Sequence, residues 1–145
     1  MIGIILTGHN HFADGLLSSI EMVGGHQDNL IPVNFPDGTN EEDLLQSLSS
    51  AIDELAECDH IVCCCDLMGG SPFKQSATLA VANPKVKVIY GVNLGMMLEF
   101  VLSRPFIDDF DEYLPSLVEK GQQAIGLFEY EEYSEPEDDD FSDGI

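Results

Sequence analysis

Hydrophobic residues in this chain fall into short solid runs separated by longer stretches in which they recur every three or four positions. Residues 2–6 ("IGIIL") form a continuous apolar run, the pattern of a strand covered on both faces. Phe12, Leu16, Leu17, Ile20 and Val23 then follow helical spacing until Gly24 and Gly25 stop them. Residues 29–35 ("NLIPVNF") predict a second strand, and Pro32, which cannot donate to a ladder, places it at a sheet edge. The turn "PDGTN" follows, with Thr39 or Asn40 able to cap a helix opened by Glu41 and Glu42. That helix carries the stripe Leu44, Leu45, Leu48, Ile52 and Leu55.

The alternation then repeats. Residues 60–65 predict a third strand, and Gly69, Gly70, Ser71 and Pro72 lead into a helix that reaches Ala82. Ser71 is expected at its cap and Pro72 at its first helical position. Residues 86–90 predict a fourth strand, 93–103 and 112–120 two helices, and 123–128 a last, weak strand. Strands alternating with helices imply right-handed βαβ units. The expected fold is a small doubly wound α/β domain with helices on both faces. Its sheet is mainly parallel, in the order 2-1-3-4, with the last strand as an antiparallel edge. No internal repeat and no second domain are visible.

A chain of 145 residues is one ordinary domain. No apolar run approaches the roughly 18 residues of a membrane span, and Met1 leads straight into "IGIILTG" without the basic segment of a signal peptide. The expected location is cytoplasmic. Five basic residues against 27 acidic ones give a formal charge of −22, a surface that repels nucleic acid and anionic lipid. Residues 129–145 hold nine acidic residues and no basic one, the composition of a disordered tail following a domain of residues 1–128. Cys63, Cys64 and Cys65 are consecutive within an apolar run, and with Cys58 they lack the spacing of a disulfide framework or of metal ligands. They are expected to pack as small buried hydrophobes.

The chemistry is expected where strand order reverses, between the carboxyl ends of the first and third strands. The first ends in Thr7, Gly8 and His9, the third in Cys65 and Asp66, so the topology brings His9 and Asp66 to one crevice across 57 positions. A helix start follows each, where free N–H groups favour an anion. A neutral imidazole is a good nucleophile toward phosphorus, and a free ring has a pKa of about 6.5. A carboxylate holding one ring nitrogen fixes the tautomer and leaves the other lone pair directed outward. Amides of the Gly69–Gly70–Ser71 turn could hold phosphoryl oxygens. Neither a Walker lysine nor G-x-G-x-x-G is present, which argues against nucleotide binding.

On these residues the chain resembles the IIA components of the mannose-type sugar phosphotransferase system. "IILTGHNHFADGL" resembles the family's strand–GHG–helix phosphorylation site, "CDLMGGSPFKQSA" its D-x-x-GG-[ST]-P-[FW] loop, and "VIYGVNLGMMLE" its GVNLPM-x-x-E segment. "ILTGH" and "CDLMGGSPF" resemble most the branch for N-acetylgalactosamine or galactosamine. The resemblance covers residues 1–128 and implies a phosphocarrier that takes a phosphoryl group from phospho-HPr and passes it to a IIB component during sugar uptake. It further implies a homodimer that exchanges a C-terminal edge strand, a functional link to membrane components without insertion of this chain, and no cofactor or metal. The phosphorylated position falls on His9, the orienting aspartate on Asp66, and the phosphoryl-holding loop residue on Ser71.

The chain departs from the family pattern at two positions: Asn10 stands for the glycine after the histidine, and Gly95 for the proline of NLPM. Asn tolerates left-handed backbone angles, so Asn10 can keep the turn. His11 is read either as an exposed first-turn residue or as a second ring near the phosphate; His26 and His60 carry no argued role. Other readings are a phosphorylation-dependent regulatory domain, the phosphoryl donor subunit of a dihydroxyacetone kinase, and a flavin or nucleotide module on the same fold.

Overall fold

Strands and helices alternate along residues 1–132, the part of the chain that the computed structural model describes. They are β1 (Ile2–His9), α1 (Phe12–Gly24), β2 (Leu30–Phe35), α2 (Glu41–Glu54), β3 (His60–Cys65), α3 (Ser71–Ala82), β4 (Val86–Ile89), α4 (Leu94–Ser103) and α5 (Phe110–Gln123). The sheet order is β2-β1-β3-β4 with every pairing parallel, as the alternation predicts. Register sets the site. Thr7 stands between Val33 and Cys65, so β1 and β3 end side by side.

The solid apolar runs of β1 and β3 divide their side chains between two cores. Ile4, Leu6, Val62 and Cys64 join Ile20, Met97, Phe100 and Leu117 beneath α1, α4 and α5. Ile5, Ile61 and Cys63 join Leu44, Leu48, Ala51 and Leu55 beneath α2 and the strands it covers. Both faces of the sheet are thus helix-covered, which is why the runs carry no polar alternation. Asn40, of the two capping candidates, caps α2 by accepting from the Asp43 N–H at 2.8 Å, a contact worth about 1 kcal/mol. Thr39 instead donates its hydroxyl to the Pro36 carbonyl.

All four cysteines are buried. Burial pushes the Cys63 thiol up to about 12 and the Cys65 thiol to about 11, and raises Cys64 well above its ordinary value. Since the thiolate is the reactive form, native protein at pH 8 is expected to leave Cys63, Cys64 and Cys65 unlabelled by an aromatic disulfide reagent over minutes. All three should react after guanidinium denaturation. Fast labelling of the native protein would show that β3 opens readily.

Three expectations need correction. Residues 123–128 form no strand: α5 runs on through Gln123, and Ile125 and Leu127 beyond it are 73% and 82% exposed. Within this one chain β4 has β3 as its partner, so the antiparallel edge strand is not part of the sheet. Ser71 is not the cap of α3; Gly70 occupies that position, and Pro72 is second in the helix. The Ser71 hydroxyl has a stronger acceptor, the Glu41 carboxylate at 2.7 Å. Of the acidic segment, residues 130–132 form a single 3-10 turn, and the expectation of a disordered tail otherwise lies outside the described residues. No helix among the described residues is long and apolar enough to cross a membrane.

Candidate functional site

β1 runs past its apolar stretch to His9 because Gly8 and His9 still pair with Asn34 and Phe35 of β2. Asn10 then turns the chain with φ +53°, a left-handed angle that asparagine accepts better than most residues. Its backbone exchanges hydrogen bonds with Phe35, N–H to carbonyl at 2.8 Å and the reverse at 3.2 Å. The turn that a glycine would serve is therefore kept. It delivers His9, half-exposed, to the top of the sheet beside the end of β3.

Asp66, the residue after β3, meets His9 there. Its Oδ2 accepts the His9 backbone N–H at 2.9 Å and lies 2.7 Å from the ring Nδ1, while its Oδ1 accepts the Leu67 N–H at 2.9 Å. Partial burial raises the Asp66 carboxyl, but the bonds from the His9 backbone, the His9 ring and Leu67 together outweigh it and hold the group below its ordinary value. An ionised carboxylate can only accept. Nδ1 must then carry the proton, and Nε2 keeps its lone pair.

The Cε1–Nε2 edge of the ring faces the start of α3. A Cβ on Gly70 would stand 2.6 Å from His9 Cε1 and 3.3 Å from Nε2, so only glycine admits the ring here. Gly69, with φ +82°, turns the chain into that approach. The first N–H groups of a helix have no partner inside it, and Pro72 contributes none, so the open end of α3 offers amides and a positive dipole end beside Nε2. On the other side the ring meets Phe35 edge-on, centroids 6.1 Å apart. His9, Asn10, Phe35 and residues 36–39 line an open depression of about 420 Å³. A larger depression of about 540 Å³, lined by Leu102, Phe106, Tyr113 and neighbours, shares no residue with it.

The structure thus gathers His9, Asp66, Gly70 and Ser71 and sets His11 apart. Exposed His11 lies with Nδ1 3.4 Å from Asn34 Nδ2, and Asn34 is itself bound to Asp14 through 2.6 Å and 3.2 Å contacts. Among the described residues no cluster of three His, Cys, Asp or Glu side chains is arranged to hold a metal. Sequence reasoning missed Glu41, which it treated only as a charge at a helix start, and which holds Ser71. Its one sequence signal is its place just after the "PDGTN" turn that lines the His9 depression. An N-linked nucleophile with one lone pair out, a fixed proton on the far nitrogen and an amide-lined anion cradle is suited to carrying a phosphoryl group.

Comparison with known proteins bears on the same residues. Residues 3–118 match the family model EIIA-man, described as PTS system fructose IIA component. The chain is 31% identical over 124 residues to the PTS system mannose-specific EIIAB component of Escherichia coli K12, which covers 86% of this chain but only 38% of that longer protein. It is 30% identical to the PTS system fructose-specific EIIA component of Bacillus subtilis, covering 86% of this chain and 85% of the relative. The crystal structure of phosphotransferase system component EIIA from Streptococcus agalactiae superposes with a TM-score of 0.81 at 34% identity, over 88% of this chain and 98% of that one. The chain belongs to the EIIA-man family, the IIA components of the sugar phosphotransferase system.

Proposed function

We propose that this protein is a cytoplasmic phosphocarrier in sugar uptake, accepting a phosphoryl group on His9 from phospho-HPr and passing it to a IIB component. The observation that carries the reading is the 2.7 Å contact of Nδ1 with Asp66, which leaves Nε2 open beside the α3 N-terminus. In the transfer the Nε2 lone pair attacks phosphorus, a new N–P bond forms, and the donor's N–P bond breaks. The electron pair leaves with the donor's imidazole nitrogen. No proton need move on His9: the ring becomes cationic with Nδ1–H still on Asp66, whose carboxylate neutralises it. Amides at Gly69, Gly70 and Ser71, with the Ser71 hydroxyl, hold the phosphoryl oxygens. Asn10 keeps the ring at the crevice, and His11 serves no more than an auxiliary role.

We place the working unit in residues 1–128 and infer a homodimer. The outer edge of β4 borders a depression of about 250 Å³ lined by Val88, Ile89, Met96, Val118 and Ile125, with exposed residues 125–128 beside it. An exchanged segment would pair there and cover an edge that otherwise invites adventitious pairing. The sugar never meets this component, so the site itself carries no sugar preference.

The test is intact-mass analysis after incubation with phosphoenolpyruvate, enzyme I and HPr. One acid-labile phosphoryl group per chain is expected. Absence of added mass with active upstream proteins would overturn the reading.

A further inference from the structure

We infer that Glu41 is a positioning residue that sets how firmly the site holds its phosphoryl group, by competing for the Ser71 hydroxyl. The inference rests on the phosphohistidine reading above. Glu41 opens α2, Ser71 opens α3, and the two helices lie side by side on one face of the sheet. The Ser71 Oγ donates to Glu41 Oε1 at 2.7 Å, the distance of a strong bond to a charged acceptor. Ser71 directly follows Gly70, which abuts the Nε2 edge of His9. The residues just before Glu41, 36–39, line the same depression as His9. A carboxylate is therefore bonded to the side-chain hydroxyl that opens α3, one residue beyond the glycine facing Nε2.

A serine hydroxyl has a single proton to donate. While Glu41 holds it, a phosphoryl oxygen arriving on Nε2 cannot receive it. The hydroxyl must either stay with Glu41, leaving the phosphoryl oxygen without that donor, or turn to the phosphoryl group and leave Glu41. Each course makes the phosphorylated state less favourable relative to the unphosphorylated one, and the negative charge of Glu41 adds to the penalty. A carrier benefits from this. A site that clasped its phosphoryl group without opposition would load well and discharge poorly, whereas one that must break a bond to hold it keeps the group ready to leave. Glu42 and Asp43 stay in the first turn of α2 whatever stands at position 41, so the charge at that helix start does not depend on Glu41 alone.

The experiment is the equilibrium between phospho-HPr and this protein, read as the ratio of phosphorylated to unphosphorylated chain at a fixed donor ratio. Glu41→Ala is expected to raise that ratio roughly 3- to 10-fold, the scale of the net worth of one ordinary hydrogen bond. Glu41→Gln keeps an acceptor for the hydroxyl but removes the charge, and is expected to fall between. In a Ser71→Ala background the Glu41→Ala effect should shrink to the part that the charge of Glu41 alone contributes, a result that a general loss of stability would not produce. If wild type takes up no phosphoryl group, the phosphocarrier reading falls and this inference with it. If wild type is phosphorylated and neither Glu41 variant shifts the ratio, or the shift survives unchanged without Ser71, the inference alone is overturned.

Discussion

Replacement of His9 by alanine is expected to abolish phosphorylation and leave the fold in place. The ring presents a free lone pair toward the α3 N-terminus, because its other nitrogen is committed to Asp66. Loss of a nucleophile costs on the order of 10³-fold or more, so mass labelling should fall below detection. The side chain is 47% exposed and packs edge-on against Phe35 and against the bare backbone of Gly70, so little core is lost. Asp66 would keep the backbone N–H groups of positions 9 and 67, which limits the destabilisation to about 2 kcal/mol or less. The control is His11→Ala, which is expected to retain at least partial transfer, since His11 is turned to Asn34. Labelling that disappears in the His11 variant and survives in the His9 variant would reverse the assignment.

His9 and Asp66 could be paired from sequence because both sit at the ends of buried strands, where period, run length and crossover handedness leave few topologies open. The apolar runs at residues 2–6 and 60–65 stand in the centre of the sheet, and once they are adjacent their carboxyl ends must be adjacent too. What sequence could not supply was the contact of loops and helix starts with one another. Glu41 and Ser71 are 30 positions apart, and nothing in either local pattern distinguishes a cap from a cross-link. Both residues are ordinary at helix starts, and only the packing of α2 against α3 selects between those uses.

The last strand failed for a related reason. "QAIGLF" has the composition of a short strand, but a strand is a pairing, and the sheet of the described residues holds only β1 to β4. The helix expected over 112–120 runs further, and Gly121 lies inside α5, where a Cβ would come within 2.7 Å of the Met96 sulfur. Its glycine serves close packing of α5 on α4, and the helix passes through to Gln123.

Asp66→Asn is expected to keep the fold and slow phosphoryl transfer roughly 10- to 10⁴-fold, the range spanned by groups that orient an imidazole. Asp66 uses both oxygens as acceptors, Oδ2 for the backbone and ring of His9 and Oδ1 for Leu67. An asparagine can supply only one. If its oxygen faces His9, its amide NH2 meets the Leu67 N–H; if its NH2 faces His9, the ring must put its proton on Nε2, which removes the nucleophile. A wild-type rate for the variant in a rapid-quench transfer assay would take Asp66 out of the mechanism. The same carboxyl gives a second readout with a definite sign. Although burial pulls it up, the three N–H donors hold it below the ordinary value, so the fold favours its ionised form. That stabilisation is fully present above the unfolded carboxyl value near 3.9 and is lost as pH falls through the lower folded value. The gap in Tm between wild type and Asp66→Asn should therefore be widest at neutral pH and narrow below about pH 4. A gap that stays constant down to pH 3 would mean that the charge on Asp66 is not what the three donors stabilise, and would leave its effect on His9 to shape alone.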